Sequence, residues 1–159
     1  MPLLPHLQFI KRPVLFVFIS LMSSFPWTAQ ARVNSLGIGG VIGQPHGLSL
    51  QIPANSSTAF NASLYYDIRT PQVSIHLDQI FFTNSLFLRT LYPYMGYGFR
   101  LKLHPKGLLN DQGALLARAP FGLEFGNHLR AFIELSPSLS ILPKLSFYLH
   151  SALGLRYHF

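Results

Sequence analysis

The sequence contains no cysteine, little charge and no long hydrophobic run. Without cysteine, neither a disulfide nor thiol chemistry can contribute to the fold or to a reaction. Charged residues make up 11% of the 159 residues, against about 25% in an average globular protein. No window holds the roughly 18 consecutive apolar residues that a membrane-spanning helix requires. Because 49% of the residues are nevertheless hydrophobic, apolar and polar residues must alternate along the chain.

The positive charge of the chain is scattered. The formal net charge is +7, a balance that is common in nucleic-acid-binding proteins. However, Lys11 and Arg12 are the only adjacent basic residues, and nucleic-acid binding needs a concentrated basic patch. We therefore expect no nucleic-acid partner.

Residues 1–31 have the pattern of a secretory signal peptide. Lys11 and Arg12 precede the apolar core Val14–Met22, and Ala29-Gln30-Ala31 is a small-x-small cleavage site. The apolar core is too short to cross a bilayer as a permanent helix. The sequence therefore predicts an exported protein, with a bacterial envelope as its setting and residues 32–159 as a single mature domain.

The mature chain alternates with period two in short segments that turn residues separate. This periodicity predicts β-strands and gives no indication of a helix. Most segments are near the roughly 9–11 residues that a tilted membrane strand needs. The eight predicted strands are Ser35–Gln44, Leu48–Ile52, Thr58–Asp67, Gln72–Asp78, Tyr94–Leu103, Leu115–Phe125, Leu129–Ser136 and Ser146–Phe159.

The connections contain the turn-forming residues. We predict a long connection over Thr83–Tyr92, because its apolar residues keep no strand period, and a loop over His104–Gly113. The shorter turns are predicted at Pro45–Gly47, Pro53–Ser57, Arg69–Pro71, Gly126–His128 and Ser140–Lys144. A proline removes a hydrogen bond from a sheet ladder. We therefore expect a bulge or a strand end at both Pro120 and Pro137.

The phase of the charged residues indicates the class of fold. If the face of the last strand that carries Phe159 points outward, the alternation places every charged residue of the predicted strands on the inward face. A charge that faces lipid near the bilayer midplane costs roughly 2–4 kcal/mol, so its absence from outward positions is expected of a membrane barrel. The predicted internal charge network consists of Asp67, Asp78, Arg100, Lys102, Arg118, Glu124, Arg130, Glu134 and Arg156. We expect it to be a paired, structural network, because buried charges persist when they are partnered.

The C-terminal strand supports this interpretation. Leu153, Leu155, Tyr157 and Phe159 share one face, and the chain ends on an aromatic residue of that face. Termini of soluble proteins usually fray into solvent, whereas the last strand of an outer-membrane barrel touches lipid on one side and a polar lumen on the other. We predict an all-β protein, an eight-stranded antiparallel transmembrane β-barrel, with these four residues as a C-terminal membrane-insertion signal.

Several stretches also resemble those of a family of small bacterial outer-membrane barrels whose function is mostly unassigned. They are Leu36–Gly40 leading to Gly43–Ser49, Tyr92–Gly98, Ala119–Glu124, Glu134–Pro137 and Gly154–Phe159. More loosely, the chain is similar to eight-stranded barrels of the OmpA, OmpX and OmpW type. The resemblance implies a fold and a location in the outer membrane, and it carries no catalytic residues.

No motif indicates a catalytic, cofactor or metal site. The glycines from Gly37 to Gly43 miss the spacing of a nucleotide-binding loop. The histidines form no i, i+4 pair, although His76, His150 and His158 share the inward face. We expect a non-enzymatic barrel with a structural or interaction role. The alternatives are a small pore or ligand-conducting barrel and, less favoured, a lipid-A-modifying enzyme. The expected partners are outer-membrane lipid, the barrel-assembly machinery and an extracellular ligand that the sequence does not identify.

Overall fold

The computed structural model of the protein describes residues 35–42, 46–68, 71–83, 90–103 and 113–159. The predicted signal peptide, residues 84–89 of the predicted long connection and residues 104–112 of the predicted loop lie outside these ranges. The strands are β1 (Gly37–Ile42), β2 (His46–Pro53), β3 (Thr58–Asp67), β4 (Gln72–Phe82), β5 (Leu91–Leu103), β6 (Ala114–Arg118), β7 (Phe121–Gly126), β8 (Leu129–Leu142) and β9 (Ser146–His158). The described part of the chain contains no helix long and apolar enough to cross a membrane.

The strands form a closed antiparallel ring. Consecutive strands pair from β1 to β5, β8 pairs with β9, and β9 pairs back with β1, where Gly39 lies opposite Arg156. The short strands β6 and β7 follow one another between β5 and β8 and pair with both. The nine described strands therefore occupy eight positions in the ring. Every regular element of the described chain is a strand, so the prediction of an all-β protein is confirmed.

The break between β6 and β7 coincides with Pro120, where the sequence predicts a bulge or a strand end. The register across the break is unchanged, because Arg118 pairs with Gly98 and Phe121 with Met95. The backbone N–H of Gly96 donates to the carbonyl oxygen of Pro120 at 2.8 Å. The proline thus ends a strand without moving the next one out of line.

The corresponding expectation at Pro137 is wrong. Strand β8 continues through this residue to Leu142, and its register with β9 is constant from Leu129 to Ser140. The N–H of Ala119 donates to the carbonyl oxygen of Pro137 at 3.0 Å, so Pro137 lies opposite the break between β6 and β7. The N–H that Pro137 lacks therefore falls where the ladder is already interrupted.

Strand β4 continues to Phe82, beyond its predicted end at Asp78, and three other strands extend into predicted connections. His46 and Gly47, which were expected in a turn, pair with β3 as part of β2. Leu91 and Tyr92, expected in the long connection, pair with β7. Ser140, expected in the last turn, pairs with Ser146 across a tight hairpin. In each case backbone pairing extends a strand into residues whose composition favours a turn or keeps no regular period.

Side chains alternate between the two faces of the ring wall in the phase predicted from Phe159. In β3, for example, Asn61, Ser63 and Tyr65 are buried, whereas Phe60 and Leu64 are exposed. The buried set contains most of the polar and charged side chains, and large apolar side chains are exposed throughout the wall. The interior of the ring is therefore polar over much of its length, and the outer face is apolar.

Candidate functional site: the ionic interior of the ring

The inward faces of seven ring positions supply the polar interior. Seven of the nine predicted network residues are buried: Asp78, Arg100, Arg118, Glu124, Arg130, Glu134 and Arg156. Asp67 and Lys102 are partly exposed near the end of the ring where β3 finishes and β4 begins. This end, which also holds the β8–β9 connection, is called the loop end below, and the opposite end, where β1 begins and β9 finishes, is called the terminal end.

Glu124 is the centre of a first cluster, at the terminal end of the interior. Its carboxylate accepts hydrogen bonds from Arg156 Nη1, from Arg130 Nη1 at 3.3 Å and from Gln51 Nε2 at 3.2 Å. Arg156 Nε also donates to Ser49 Oγ at 3.1 Å. The cluster therefore joins β2, β7, β8 and β9, and two guanidinium groups share one carboxylate that is fully buried.

Arg118 is the centre of a second cluster. Its guanidinium donates to Glu134 Oε1, and its Nε lies 3.2 Å from Asp78 Oδ1. The contact with Asp78 is an ion pair without hydrogen-bond alignment, since neither atom has a hydrogen-bond partner. Glu134 Oε2 accepts the hydroxyl of Tyr94 at 2.9 Å. Arg118 also contacts His76 Nδ1.

Arg100 and Lys102 form a third group, nearer the loop end. Arg100 Nη1 lies 3.1 Å from His150 Nε2, and Arg100 Nη2 donates to Ser74 Oγ at 3.4 Å. The Lys102 ammonium lies 5.1 Å from the centre of the Tyr148 ring. Within the described ranges, no carboxylate lies at ion-pair distance from Arg100. The structure thus brings six of the nine predicted residues into ion-paired clusters and places Arg100 among neutral partners.

An apolar layer fills the interior at the terminal end. Ile80 and Phe82 on β4 pack with Ala59 and Tyr94, and Tyr92 lies against them. The Arg130 guanidinium lies 4.4 Å from the centre of the Tyr92 ring. Sequence reasoning missed the inward positions of Ile80 and Phe82, because an apolar residue on a polar face carries no contrast in hydropathy. Only continuation of the even-numbered phase beyond Asp78 could have placed them.

Sequence reasoning also missed Ser49 and Gln51 as partners of the charges. Both are buried on β2 and contact Arg156 and Glu124. The available signal was the alternation of segment Leu48–Ile52, which places these two polar residues on the inward face. Their hydrogen bonds to the charged residues could not be predicted, because the sequence does not show which charged side chain an uncharged polar residue contacts.

The predicted C-terminal signal residues lie on the outer face of β9. Leu153, Leu155, Tyr157 and Phe159 are exposed. The rings of Tyr157 and Phe159 meet edge to face with centroids 5.2 Å apart. The N–H of Phe159 donates to the carbonyl oxygen of Leu36 at 3.0 Å, so the last residue is held against the chain segment that leads into β1.

One small cavity lies beside Arg100 and Arg118. It measures about 30 Å³ and is lined by Val41, Ile42, Tyr65, His76, Arg100, Arg118, Glu134, Ser136, His150, Ser151 and Ala152. A site for one water needs roughly 10–15 Å³ by the same measure, so the cavity holds about two molecules of that size. In the described residues, no three histidine or acidic side chains are grouped to hold a metal ion.

Comparison with known proteins gives no match: neither a protein-family model, nor a curated protein, nor a solved structure matches this chain. The class of protein must therefore be argued from the ring and its interior alone.

Proposed function

We propose that the ring is a transmembrane β-barrel of a bacterial outer membrane, with residues 1–31 as a cleaved signal peptide and residues 32–159 as the mature domain. One observation carries this proposal, the inverted polarity of the ring. Glu124 and Arg156 are 0% and 2% exposed, whereas Leu48 and Phe159 are 68% and 70% exposed. Water drives apolar surface inward, so an apolar outer face around an ionic interior fits a hydrocarbon surrounding.

The positions of the exposed charges support a lipid-facing wall. Among the described residues, Lys144 is the only charged residue in the exposed class, and it lies in the turn between β8 and β9 at the loop end. A soluble sheet would present charge to water along its outer face. The lipid-facing wall of a barrel carries few charged residues, since each charge near the bilayer midplane would cost roughly 2–4 kcal/mol.

The strand lengths also suit a bilayer. Strands β3, β4, β5, β8 and β9 have 10 to 14 residues, and a tilted membrane strand needs about 9–11. Both ends of the mature chain would lie in the periplasm at the terminal end. The loop end, with the connections after β1, β3, β5 and β8, would face the cell exterior.

The filled interior favours a structural or interaction role over transport or catalysis. Eight-stranded barrels have an interior that side chains can fill, and here two ion-paired clusters and an apolar layer occupy it. Because the carboxylates and guanidinium groups engage one another, we propose no catalytic step and no continuous aqueous path. We propose kinship with the small outer-membrane barrels that the sequence resembles.

The proposed partners follow from the two surfaces. Outer-membrane lipid contacts the apolar wall. The barrel-assembly machinery recognises the outward residues Leu153, Leu155, Tyr157 and Phe159 of the last strand, and the connections at the loop end are the surface available to an extracellular ligand.

The test is expression of the full chain in a Gram-negative host, followed by fractionation and electrophoresis with and without boiling. We expect a processed protein in the outer-membrane fraction whose unboiled form migrates differently, because a closed barrel resists unfolding by detergent. A soluble periplasmic protein, or a membrane protein with the same mobility before and after boiling, would overturn the proposal.

A further inference from the structure

Arg100 is a buried cation whose hydrogen-bond contacts with the described residues are with neutral groups. It is 5% exposed, and its guanidinium contacts only His150 and Ser74 in the described part of the chain, while its Nε has no hydrogen-bond partner. The charge of Asp67 acts on Arg100 and on Lys102 as well. The single charge of Asp67 is therefore shared between Arg100 and Lys102, and this part of the interior has an excess of positive charge.

The tautomers of the two neighbouring histidines follow from their contacts with the arginines. A guanidinium can only donate, so His76 Nδ1 must accept from Arg118, and His150 Nε2 must accept from Arg100. The ring proton of His76 is thereby assigned to Nε2, which has no partner. The ring of Tyr65 lies against His76 with centroids 4.3 Å apart and holds its orientation.

Three unpartnered polar atoms belong to residues that line the same cavity. They are Arg100 Nε, His76 Nε2 and Ser136 Oγ, and the three residues are 5%, 5% and 2% exposed. The first two can only donate, and the hydroxyl of Ser136 can donate also. Buried polar groups without partners are rare in folded proteins, and each calls for an explanation such as an unseen water or ion.

The single carboxylate in the cavity wall is already occupied. Glu134 also lines the cavity, but one of its oxygens accepts from Arg118 and the other accepts from Tyr94. Arg118 offsets its charge directly. The unpartnered side-chain atoms of the described cavity wall can therefore all donate, and they lie next to a cation that has no described carboxylate at ion-pair distance.

We propose that this cavity is an anion site that binds one halide ion, chloride under physiological conditions, through Arg100 Nε, His76 Nε2 and Ser136 Oγ. The cavity of about 30 Å³ has room for one or two particles of water size, which suits a halide. The ion neutralises Arg100 and satisfies the three donors together. The site depends on the closed ring and is independent of whether the ring lies in a membrane.

The test uses the mature protein, folded in detergent and shown to be folded by the mobility shift on boiling. The thermal midpoint of that shift is measured against sodium chloride, sodium bromide and sodium gluconate at equal ionic strength. We expect a saturable rise with chloride and bromide that gluconate does not give, together with a bromide peak in the cavity by anomalous diffraction. Equal midpoints in all three salts, with water alone in the cavity, would overturn the site.

Two variants and a control assign the effect to the cavity. Arg100→Gln should abolish the difference between halide and gluconate, and Ser136→Ala, which keeps every charge, should weaken halide affinity by about tenfold, as expected for one hydrogen bond to an ion. Lys144→Gln removes an exposed cation that does not line the cavity and should leave the halide response unchanged. If Arg100→Gln does not fold, an unchanged affinity in Ser136→Ala still contradicts the site. A folded protein that ignores halide would leave the membrane proposal standing.

Discussion

Glu124 and Arg156 form an ion pair although a complete strand separates them in the ring. Glu124 lies on β7 and Arg156 on β9, and β8 pairs with both strands. The contact therefore runs through the interior and not along the wall. Arg130 on β8 binds the other oxygen of the same carboxylate, so one acidic group ties three consecutive ring positions together from inside.

Replacement of Glu124 should strongly destabilise the ring. Glu124→Gln keeps the shape of the side chain but leaves Arg130 and Arg156 buried without a carboxylate. Removing one partner of a buried ion pair costs about 3–5 kcal/mol. We expect a lower urea midpoint for unfolding. We also expect the folded form, which is recognised by its different gel mobility without boiling, to disappear at a lower temperature. Asp67→Asn, at the partly exposed rim, is the matched control and should have a smaller effect. Equal stability of Glu124→Gln and wild type would contradict the structural role of this cluster.

A charge on the outer wall should prevent assembly in the membrane. Leu77 is outward in the middle of β4, so Leu77→Arg would place a guanidinium in hydrocarbon at a cost of roughly 2–4 kcal/mol. Ile68→Arg introduces the same side chain at an exposed position in the turn after β3 and should assemble normally. The measurement is the fraction of protein in the outer membrane that shows the mobility shift. Full assembly of Leu77→Arg would mean that the outer face does not meet lipid.

Two adjacent glycines in β1 should respond differently to alanine. A Cβ at Gly39 would overlap the backbone carbonyl oxygen of Leu155, whereas a Cβ at Gly40 meets only the carbonyl oxygen of Gly47, at 3.9 Å. Overpacking typically costs about 1–3 kcal/mol, so Gly39→Ala should loosen the closure between β1 and β9, and Gly40→Ala should be nearly neutral. Urea unfolding of both variants checks this. If the two variants were equally stable, the close approach of β1 to β9 at Gly39 would be contradicted.

The purified protein should not conduct ions in a planar bilayer. The two ionic clusters and the layer of Ile80, Phe82 and Tyr94 fill the interior, so no steady single-channel steps are expected at any moderate voltage. Insertion is verified separately by protection from protease. Regular conductance steps from inserted protein would favour the pore that the sequence also allows.

Periodicity predicted much of the wall because the two faces differ strongly in polarity. In β5, Arg100 and Lys102 alternate with Phe99 and Leu101, and the structure places them in that phase. The difference in polarity gives no guidance where an inward residue is apolar, as at Ile80 and Phe82. These two positions could be located only from the pairing of β4 with its neighbouring strands. Strand ends were predicted less well, because residues such as Ser140 and Tyr92 acquire strand geometry from their partners across the ladder.

Partner choice inside the ring could not be read from the sequence. Inward phase places Arg100, Arg118, Arg130 and Arg156 on the same side of the wall, but it does not give the height of each side chain or the strand opposite. The structure joins Glu134 to Arg118 and leaves Arg100 with Ser74 and His150. That distinction depends on the stagger of strands around the ring, which is a property of the closed sheet as a whole.

The long sequence separation of the interior contacts constrains how the protein can assemble. Gln51 donates a hydrogen bond to Glu124, and Arg156 donates one to Ser49. The partners are separated by 73 and 107 positions in the sequence, respectively. If the ring spans a membrane as proposed, an open curved sheet would carry bare guanidinium groups into hydrocarbon, with no carboxylate yet in place to neutralise them. Crossing the bilayer and sealing the last seam should consequently occur as one concerted event, and a stalled half-inserted intermediate would be the least stable species on the route.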